Sequence, residues 1–179
     1  MKALPQKFNW LDSFKSPLIW MEARKHYGLL EIPGKDSNPD ILKWAKEVGV
    51  SGWYTNDDIP WCGLFVGICV QRAGYQTVGS KLLAALEWSN WGVGINPGKE
   101  AFNDILVFKR PGGGHVGFYC GENDQAFLVY GGNQSNAVGL AWIDKARLVA
   151  CRRLAFKNRP ETVKKIRLTT TGTFSENEV

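Results

Sequence analysis

The sequence predicts an α+β domain in which helices come first and an antiparallel β-sheet follows. Two observations carry this prediction. Before residue 100 the apolar residues recur at helical spacing, and after it they form short runs separated by glycine-rich or polar turns. Helices and strands that are segregated along a chain indicate an antiparallel sheet and not a parallel one. The length of 179 residues fits one domain.

Four helices are predicted in the first half of the chain. A Ser-Pro pair and an Asn-Pro pair each mark a helix start, and a glycine follows each segment. A third segment is apolar nearly all round, which predicts a helix buried inside the domain. The helices are expected at residues 18–27, 39–48, 62–73 and 80–91.

Five strands are predicted in the second half, as an antiparallel meander. Turns such as residues 111–114 (PGGG) and 121–124 (GEND) separate the apolar runs. From residue 158 the chain becomes polar, so residues 1–157 are predicted to form a single domain and residues 158–179 a polar C-terminal tail. The strands are expected at residues 104–109, 115–120, 126–130, 137–143 and 147–154.

The net charge of +5 is concentrated near the C-terminus. Residues 144–167, the basic strip, hold nine basic side chains and two acidic ones, whereas residues 1–143 hold thirteen of each. Such a strip suits an anionic polymer such as nucleic acid, a membrane surface or a cell wall, and an ordinary solvated face is the alternative. No nucleic-acid partner is expected, because no recognition helix or aromatic sheet motif accompanies the charge.

No transmembrane segment and no secretory signal peptide are predicted. The longest run free of charged or strongly polar side chains, residues 61–70, has ten positions. A transmembrane helix needs about 18 or more. The N-terminal residues carry two lysines and no continuous apolar stretch, which is not typical of a signal peptide.

Cys62 is the candidate nucleophile because it begins the predicted buried helix. Unpaired backbone N–H groups and the helix dipole at such a position stabilise an anion and lower the pKa of a thiol. Pro60 and Trp61 precede it and hold the chain at the start of the helix. A thiolate there is a nucleophile. The other cysteines are expected to be buried structural residues: Cys69, Cys120 and Cys151.

His115 is the candidate partner of Cys62. It begins a predicted strand directly after three glycines, where backbone or substrate can approach closely. A third group is expected to orient its imidazole. Residues 131–136 (GGNQSN) follow the next strand and return to the end of the sheet where His115 lies. Asn133 or Gln134 is therefore expected to accept a hydrogen bond from the ring.

These residues lie in a series of motifs that resembles the small phage and bacterial cysteine peptidoglycan hydrolases related to the NlpC and CHAP domains. The resemblance covers most of the chain, from about residue 17 to residue 153. It rests on the order and spacing of six segments: residues 31–34 (EIPG), 38–39 (NP), 57–66 (DDIPWCGLFV), 104–108 (DILVF), 114–119 (GHVGFY) and 131–136 (GGNQSN).

The resemblance implies a papain-like α+β fold with Cys62 as nucleophile and His115 as base. It implies acyl transfer at an amide bond of the cell-wall peptide, by an endopeptidase or amidase that uses no metal and no cofactor. Asn133 is the preferred third residue, since papain-like sites commonly use an Asn, and Gln134 is the alternative. Gly132 and Gln134 occupy the two positions at which CHAP enzymes often carry a Glu and an Asn, which leaves the third residue open.

The same resemblance implies roles for residues around the nucleophile. The backbone N–H of Cys62 and an upstream side chain, Asn56, are expected to hold an oxyanion. From their place before Cys62, one of Asn56, Asp57 and Asp58 is expected to face the oxyanion or to cap the helix. Trp61 and Trp88 are expected to line the substrate cleft. We expect a monomer that acts on bacterial peptidoglycan, made in the bacterial cytoplasm and reaching the cell wall after phage lysis or effector delivery.

Two other functions compete with this one. A zinc amidase of the phage-lysozyme type needs two His and a Cys, for which the chain offers His26, His115 and Cys120. Strand alternation places His115 and Cys120 on opposite faces, which disfavours that site. A non-catalytic wall-binding module would instead use the aromatic residues and the basic strip, and its binding would not depend on Cys62.

Overall fold

Helices fill the first half of the chain and strands the second in the computed structural model, which describes residues 1–34, 36–169 and 175. The predicted α+β class is confirmed, with six strands in one antiparallel sheet. Among these residues, no helix has both the length and the apolar character that a membrane span requires.

Three α-helices form one layer: α1 (Leu18–Arg24), α2 (Pro39–Glu47) and α3 (Cys62–Arg72). The start of α2 is the predicted one, because the side chain of Asn38 accepts a hydrogen bond from the backbone N–H of Asp40 at 2.9 Å. Residues 62–70 of α3 are all buried, as the apolar sequence predicted. The helix α1 is shorter than predicted, and the hydroxyl of Ser16 lies 2.9 Å from that of Thr162 instead of capping it.

The segment predicted as a helix over residues 80–91 forms two short 3-10 segments, Gly79–Lys81 and Ala85–Asn90. The backbone carbonyl of Leu82 lies 2.2 Å from the place that a Cβ would occupy at Gly63, so this segment packs directly against the backbone of α3. Trp88 donates its ring N–H to the same carbonyl at 2.9 Å. These contacts favour an irregular shape over a regular helix. Another 3-10 segment, Gln6–Ser13, precedes α1.

The six strands are β1 (Val93–Gly94), β2 (Ile105–Arg110), β3 (Gly113–Glu122), β4 (Ala126–Gly131), β5 (Gly139–Asp144) and β6 (Leu148–Arg153). Their order in the sheet is β1-β6-β2-β3-β4-β5, and neighbouring strands are antiparallel. The predicted meander is present from β2 to β5. It does not extend to β6, which pairs with β2 after the 3-10 segment Lys145–Arg147.

A buried ion pair holds β6 beside β2. Asp104, directly before β2, is 1% exposed and accepts hydrogen bonds from the Arg153 guanidinium at 2.6 and 2.7 Å. Burial raises the pKa of Asp104, and the hydrogen bonds from Arg153 oppose that rise. Removing either partner would leave a buried charge unpaired. This long-range contact therefore favours the observed strand order over a simple meander.

The central strands β2, β3 and β4 are buried on both faces over most of their length, and their sequences are therefore nearly continuous apolar runs. One face packs on the helices through residues that include Val107, Phe118 and Leu128. The alternating residues, among them Leu106 and Tyr119, form a second core on the opposite face. The strand β3, which begins with the candidate histidine region, is thereby held inside the sheet between β2 and β4.

Residues beyond the predicted domain boundary at residue 157 pack on the domain rather than forming a tail. The backbone N–H of Phe102 donates to the carbonyl of Lys164 at 2.9 Å, and that of Glu122 donates to Ile166 at 2.9 Å. Val163 is only 3% exposed. The domain thus includes these residues, because they satisfy backbone groups of the sheet. Residues 170–174 and 176–179 of the predicted tail lie outside the described residues.

Several cations of the basic strip serve the fold. Glu122 is 1% exposed, and its Oε1 lies 2.9 Å from Lys145 Nζ, 3.2 Å from Lys165 Nζ and 3.3 Å from Arg167 Nη1. Although burial opposes ionisation, hydrogen bonds from Lys145 and Lys165 hold the pKa of Glu122 below its ordinary value. These three side chains therefore stabilise a buried carboxylate of the sheet, and the choice between a polymer-binding strip and a solvated face stays a prediction.

Candidate active site

Cys62 begins α3 at the point where this helix meets β3. Trp61 is the cap residue, so the first backbone N–H groups of the helix have no partner within it. Burial raises the pKa of the Cys62 thiol, and the backbone N–H groups of Val116, Gly63 and Cys62 itself oppose that rise. The sulfur therefore lies among amide donors supplied by two different elements.

Burial outweighs these donors. Cys62 is 2% exposed, and the loss of solvent raises the pKa of its thiol, although the amide groups and the positive charge of Arg110 oppose the rise. The prediction of a lowered thiol pKa is therefore wrong for the net shift, because a thiolate in a closed site loses its hydration. The resting group is a neutral thiol, and a base is needed to remove its proton.

The other three cysteines are buried in the core. All four cysteines are free thiols. Burial raises the pKa values of Cys69, Cys120 and Cys151, and the Cys151 thiol donates a hydrogen bond to Asp104 Oδ2 at 3.4 Å. Cys62 differs from them because amide donors of its own helix start are directed at its sulfur.

His115 lies on β3 directly before Val116, whose amide opposes the rise in the pKa of the Cys62 thiol. It pairs across the sheet with Phe108 and is 1% exposed. Its Nε2 lies 3.2 Å from Oε1 of Gln134. A Cβ at Gly131 would lie 3.4 Å from His115 Nε2, and one at Gly132 would lie 2.7 Å from the ring of Trp61, so the end of β4 and the loop after it lie against both the start of β3 and the start of α3.

Gln134 fixes the orientation and the tautomer of the imidazole. Its Nε2 donates hydrogen bonds to the carbonyls of Val129 at 3.2 Å and Gly139 at 2.7 Å, so its Oε1 is the atom that faces His115. An amide oxygen only accepts, and His115 Nε2 must therefore carry the hydrogen. The other ring nitrogen, Nδ1, is then the one that accepts a proton. A Cβ at Gly131 would lie 3.1 Å from this oxygen, so glycine leaves room for the contact.

Asn133, the preferred third residue, has a different position. Its backbone is in the left-handed region with φ of 54°, and its side chain is 4% exposed. Its Oδ1 is buried and has no hydrogen-bond partner among the described residues. The amide oxygen on the His115 ring belongs to Gln134, the alternative, because neighbouring residues of a tight loop direct their side chains differently.

Of the three residues considered before Cys62, Asp57 is the one that organises the loop. Asp57 is 1% exposed, and its Oδ2 accepts hydrogen bonds from the backbone N–H groups of Ile32 at 3.0 Å and Asn38 at 2.8 Å. Asn56 is half-buried, and its Oδ1 has no partner among the described residues. Asp58 is exposed. Asn56 therefore stays a candidate for the site, and Asp58 faces solvent.

The two tryptophans expected to line the cleft are both fully buried. Trp61 donates its ring N–H to Glu31 Oε2 at 3.0 Å, and Trp88 donates to the Leu82 carbonyl at 2.9 Å. A buried indole needs such a partner for its N–H, which explains both positions. The prediction is wrong for both residues. Trp53, on the turn after α2, is the tryptophan with a largely exposed ring, at 66%.

The three residues of the alternative zinc site, His26, His115 and Cys120, do not form a metal site. His26 Nε2 lies 3.2 Å from Glu22 Oε1, its ring packs against Trp44, and burial lowers its pKa. His115 contacts Gln134 instead. Over the part of the chain that the structure describes, no three His, Cys, Asp or Glu side chains lie together as metal ligands.

Arg110 is a residue of this site that the sequence analysis missed. It ends β2, and its positive charge acts on the Cys62 thiol. Its Nε donates a hydrogen bond to the carbonyl of Gly114, directly before His115, at 3.2 Å. The sequence does carry a signal for Arg110. It lies just before a short turn between two predicted strands, and pairing across that turn places it next to His115.

No protein-family model matches the chain, and no curated protein matches it either. The candidate site itself consists of the buried thiol of Cys62, the imidazole of His115, the Gln134 amide that orients this imidazole, and the cation Arg110.

Proposed function

We propose that this chain is a cysteine peptidoglycan hydrolase with a papain-like site of the NlpC/CHAP type. One observation supports it above all others. The amide directly after His115 opposes the rise in the pKa of the Cys62 thiol at the start of the buried helix, and Gln134 Oε1 lies 3.2 Å from the His115 imidazole. A thiol, an imidazole and an orienting amide are the groups that cysteine-dependent acyl transfer uses.

The motifs that resemble this family support the proposal because they meet around the start of α3. Glu31 of the EIPG segment accepts a hydrogen bond from Trp61, the residue before Cys62. Asp57 binds the backbone of Asn38. Segments that are far apart in the sequence therefore converge on one cysteine, and a purely structural cysteine does not require this.

The proposed reaction begins when the Cys62 thiol gives its proton to Nδ1 of His115 and the sulfur attacks the carbonyl carbon of an amide. The backbone N–H of Cys62, with Asn56 as the candidate second donor, holds the oxyanion. The imidazolium then protonates the leaving nitrogen, the C–N bond breaks, and a thioester remains on Cys62. Water, deprotonated by His115, hydrolyses the thioester and restores the thiol.

The substrate in this proposal is an amide bond of the bacterial cell-wall peptide. The reaction uses a nucleophile and an acid-base pair from the chain itself, without a metal or a cofactor. We further propose that the protein acts as a monomer and is made in the bacterial cytoplasm. It then reaches the wall after phage lysis or effector delivery.

Gln134→Ala is expected to lower kcat about 10- to 100-fold with little change in KM, because the His115 ring loses the acceptor that orients it. The measurement is steady-state kinetics on a soluble muropeptide, together with the pH profile of kcat. Asn133→Ala is the matched control, since it removes an equally buried amide from the neighbouring residue. Equal losses in both variants would contradict an orienting role for Gln134.

The test of the proposed function is digestion of purified peptidoglycan, followed by mass spectrometry of the soluble fragments. We expect one new pair of amino and carboxyl termini, at a single type of peptide amide, and no cleavage of the glycan strands. Release of no fragment, or of glycan fragments alone, would overturn the proposal. A digestion that stops when a chelator is added would favour the zinc amidase instead.

A further inference from the structure

A cavity of about 320 Å³ lies between the N-terminal segment of the chain and the helix α1. Its volume falls in the range of small-molecule binding pockets. It is lined by residues 1–3, by residues around the end of the 3-10 segment Gln6–Ser13, and by one face of α1. The residues of the proposed catalytic site, Cys62, His115 and Gln134, do not line it. The cavity is therefore separate from that site.

Arg24 places a buried charge in the lining of this cavity, where it is only 6% exposed. Its Nε and Nη2 donate hydrogen bonds to the two carboxylate oxygens of Asp12 at 2.6 and 3.1 Å, and Nη2 also donates to the Lys2 carbonyl at 3.0 Å. The guanidinium carbon lies 5.6 Å from the centroid of the Tyr27 ring. The remaining nitrogen, Nη1, is buried and has no hydrogen-bond partner among the described residues. A buried donor of this kind is expected to meet an acceptor.

The charges around the cavity favour an acceptor that is an anion. Lys2, Lys15 and Arg24 each bring one positive charge to the lining. Asp12 brings the one negative side chain among the described residues that line it, so positive charge is in excess. Lys2 Nζ donates to the Gly28 carbonyl at 2.7 Å, and Lys15 Nζ donates to the Asp12 backbone carbonyl at 2.8 Å. An ammonium group has three donors, so neither lysine uses all of its donors in these contacts.

Apolar side chains form another part of the lining. Trp20 lies one helical turn before Arg24 on α1, and its ring is fixed by edge-on contacts with the rings of Phe102 and Tyr130. Phe14 and Met21 also line the cavity, and both are half-buried. Aromatic rings and a thioether favour contact with an apolar or aromatic group. The ligand that fits this lining is therefore charged at one end and apolar at the other.

We propose that this cavity binds a small carboxylate with an apolar body. The carboxylate accepts hydrogen bonds from Nη1 of Arg24, and the ammonium groups of Lys2 and Lys15 attract it. The apolar body lies against Phe14 and Met21. A guanidinium also matches phosphate, but inorganic phosphate has no apolar body to occupy the rest of the cavity. This inference does not depend on the proposed function, because the cavity shares no residue with the catalytic site.

The experiment measures binding of three probes to the full chain by calorimetry: phenylpropionate, its neutral amide phenylpropionamide, and inorganic phosphate. The NMR signal of the Arg24 Nε–H reports whether a probe binds at the cavity. Arg24→Lys and Lys15→Gln change the cations, and Ala3→Trp fills the cavity from its exposed rim. Lys7→Gln is the matched control for Lys15→Gln, because Lys7 is an exposed lysine of the neighbouring 3-10 segment that does not line the cavity.

We expect phenylpropionate to bind about tenfold more tightly than either its amide or inorganic phosphate, since only this probe has both the charge and the apolar body. Arg24→Lys should weaken its binding about tenfold, because a lysine does not reproduce the position of Nη1. Lys15→Gln should weaken it about two- to fivefold, as expected for an exposed charge. Ala3→Trp should abolish binding, and Lys7→Gln should leave it unchanged.

Three results would overturn the inference. The first is the absence of binding by phenylpropionate at millimolar concentrations, which would leave solvent as the partner of Nη1. The second is equal affinity for phenylpropionate and either of the other two probes. The third is unchanged affinity in both Arg24→Lys and Ala3→Trp, which would place the bound probe elsewhere. Melting temperatures identify any variant that is unfolded, and if Arg24→Lys is one, Ala3→Trp and Lys15→Gln decide the question.

Discussion

Cys62→Ala is expected to abolish release of peptide fragments from peptidoglycan, with a loss of about 10⁴-fold or more, as for other nucleophiles in covalent catalysis. The reason is chemical, because this variant lacks the sulfur that attacks the amide carbonyl in the proposed reaction. The neighbouring amides of Val116 and Gly63 cannot replace it. The measurement is fragment release by mass spectrometry at matched protein concentration.

The control for this prediction is Cys69→Ala. Cys69 lies in the same helix, is fully buried, and is a free thiol like Cys62. Each substitution removes one sulfur from the core, so both should destabilise the fold by a similar amount, of order 1 kcal/mol. Cys69→Ala should nevertheless keep its activity. Full activity in Cys62→Ala would exclude the cysteine-hydrolase mechanism.

His115→Ala is expected to lower kcat about 100- to 10,000-fold, the range that general acid-base catalysis supplies. The raised pKa of the buried Cys62 thiol makes this loss large, since little thiolate forms without a base to accept the proton. Steady-state kinetics on a soluble muropeptide measure it. More than a tenth of the activity remaining in this variant would remove His115 from the mechanism.

His26→Ala tests whether the loss expected for His115 is specific to that candidate catalytic histidine. His26 contacts Glu22 and packs against Trp44 between the helices. Its removal should change the melting temperature and leave kcat nearly unchanged. His115→Gln is a second variant at the site itself, because it keeps a polar side chain in a buried position where alanine would leave Gln134 without its partner. Loss of activity in a folded His115→Gln protein would support the assigned role.

The sequence predicts the local features of this fold well, because they depend on neighbouring residues. The Asn38–Pro39 pair marks the start of α2, and the apolar run after Cys62 predicts a buried helix. The strands β2 to β5 are predicted by short apolar runs between turns. The pairing of Cys62 with His115 could be proposed for the same reason, since each residue stands at the start of an element.

The sequence does not determine which neighbours the elements meet. The last strand pairs with β2, because Arg153 meets the buried Asp104 there. The chain after residue 157 packs on the domain, because its carbonyl groups at Lys164 and Ile166 accept hydrogen bonds from the backbone N–H groups of Phe102 and Glu122. Trp61 and Trp88 are buried in the hydrophobic core, where Glu31 and the Leu82 carbonyl accept their ring N–H groups, and no pattern in the sequence indicates these partners.

The candidate site shows the same division. Its candidate nucleophile and base, Cys62 and His115, could be proposed from the sequence, because their types and their places at element starts carry the chemistry. The choice of Gln134 over Asn133 and the place of Arg110 required the tertiary structure. An orienting hydrogen bond depends on side-chain direction within a tight loop, and a diagonal neighbour depends on strand register. The raised pKa of Cys62 also follows from tertiary packing, because desolvation is a property of the whole surrounding structure and not of the helix start alone.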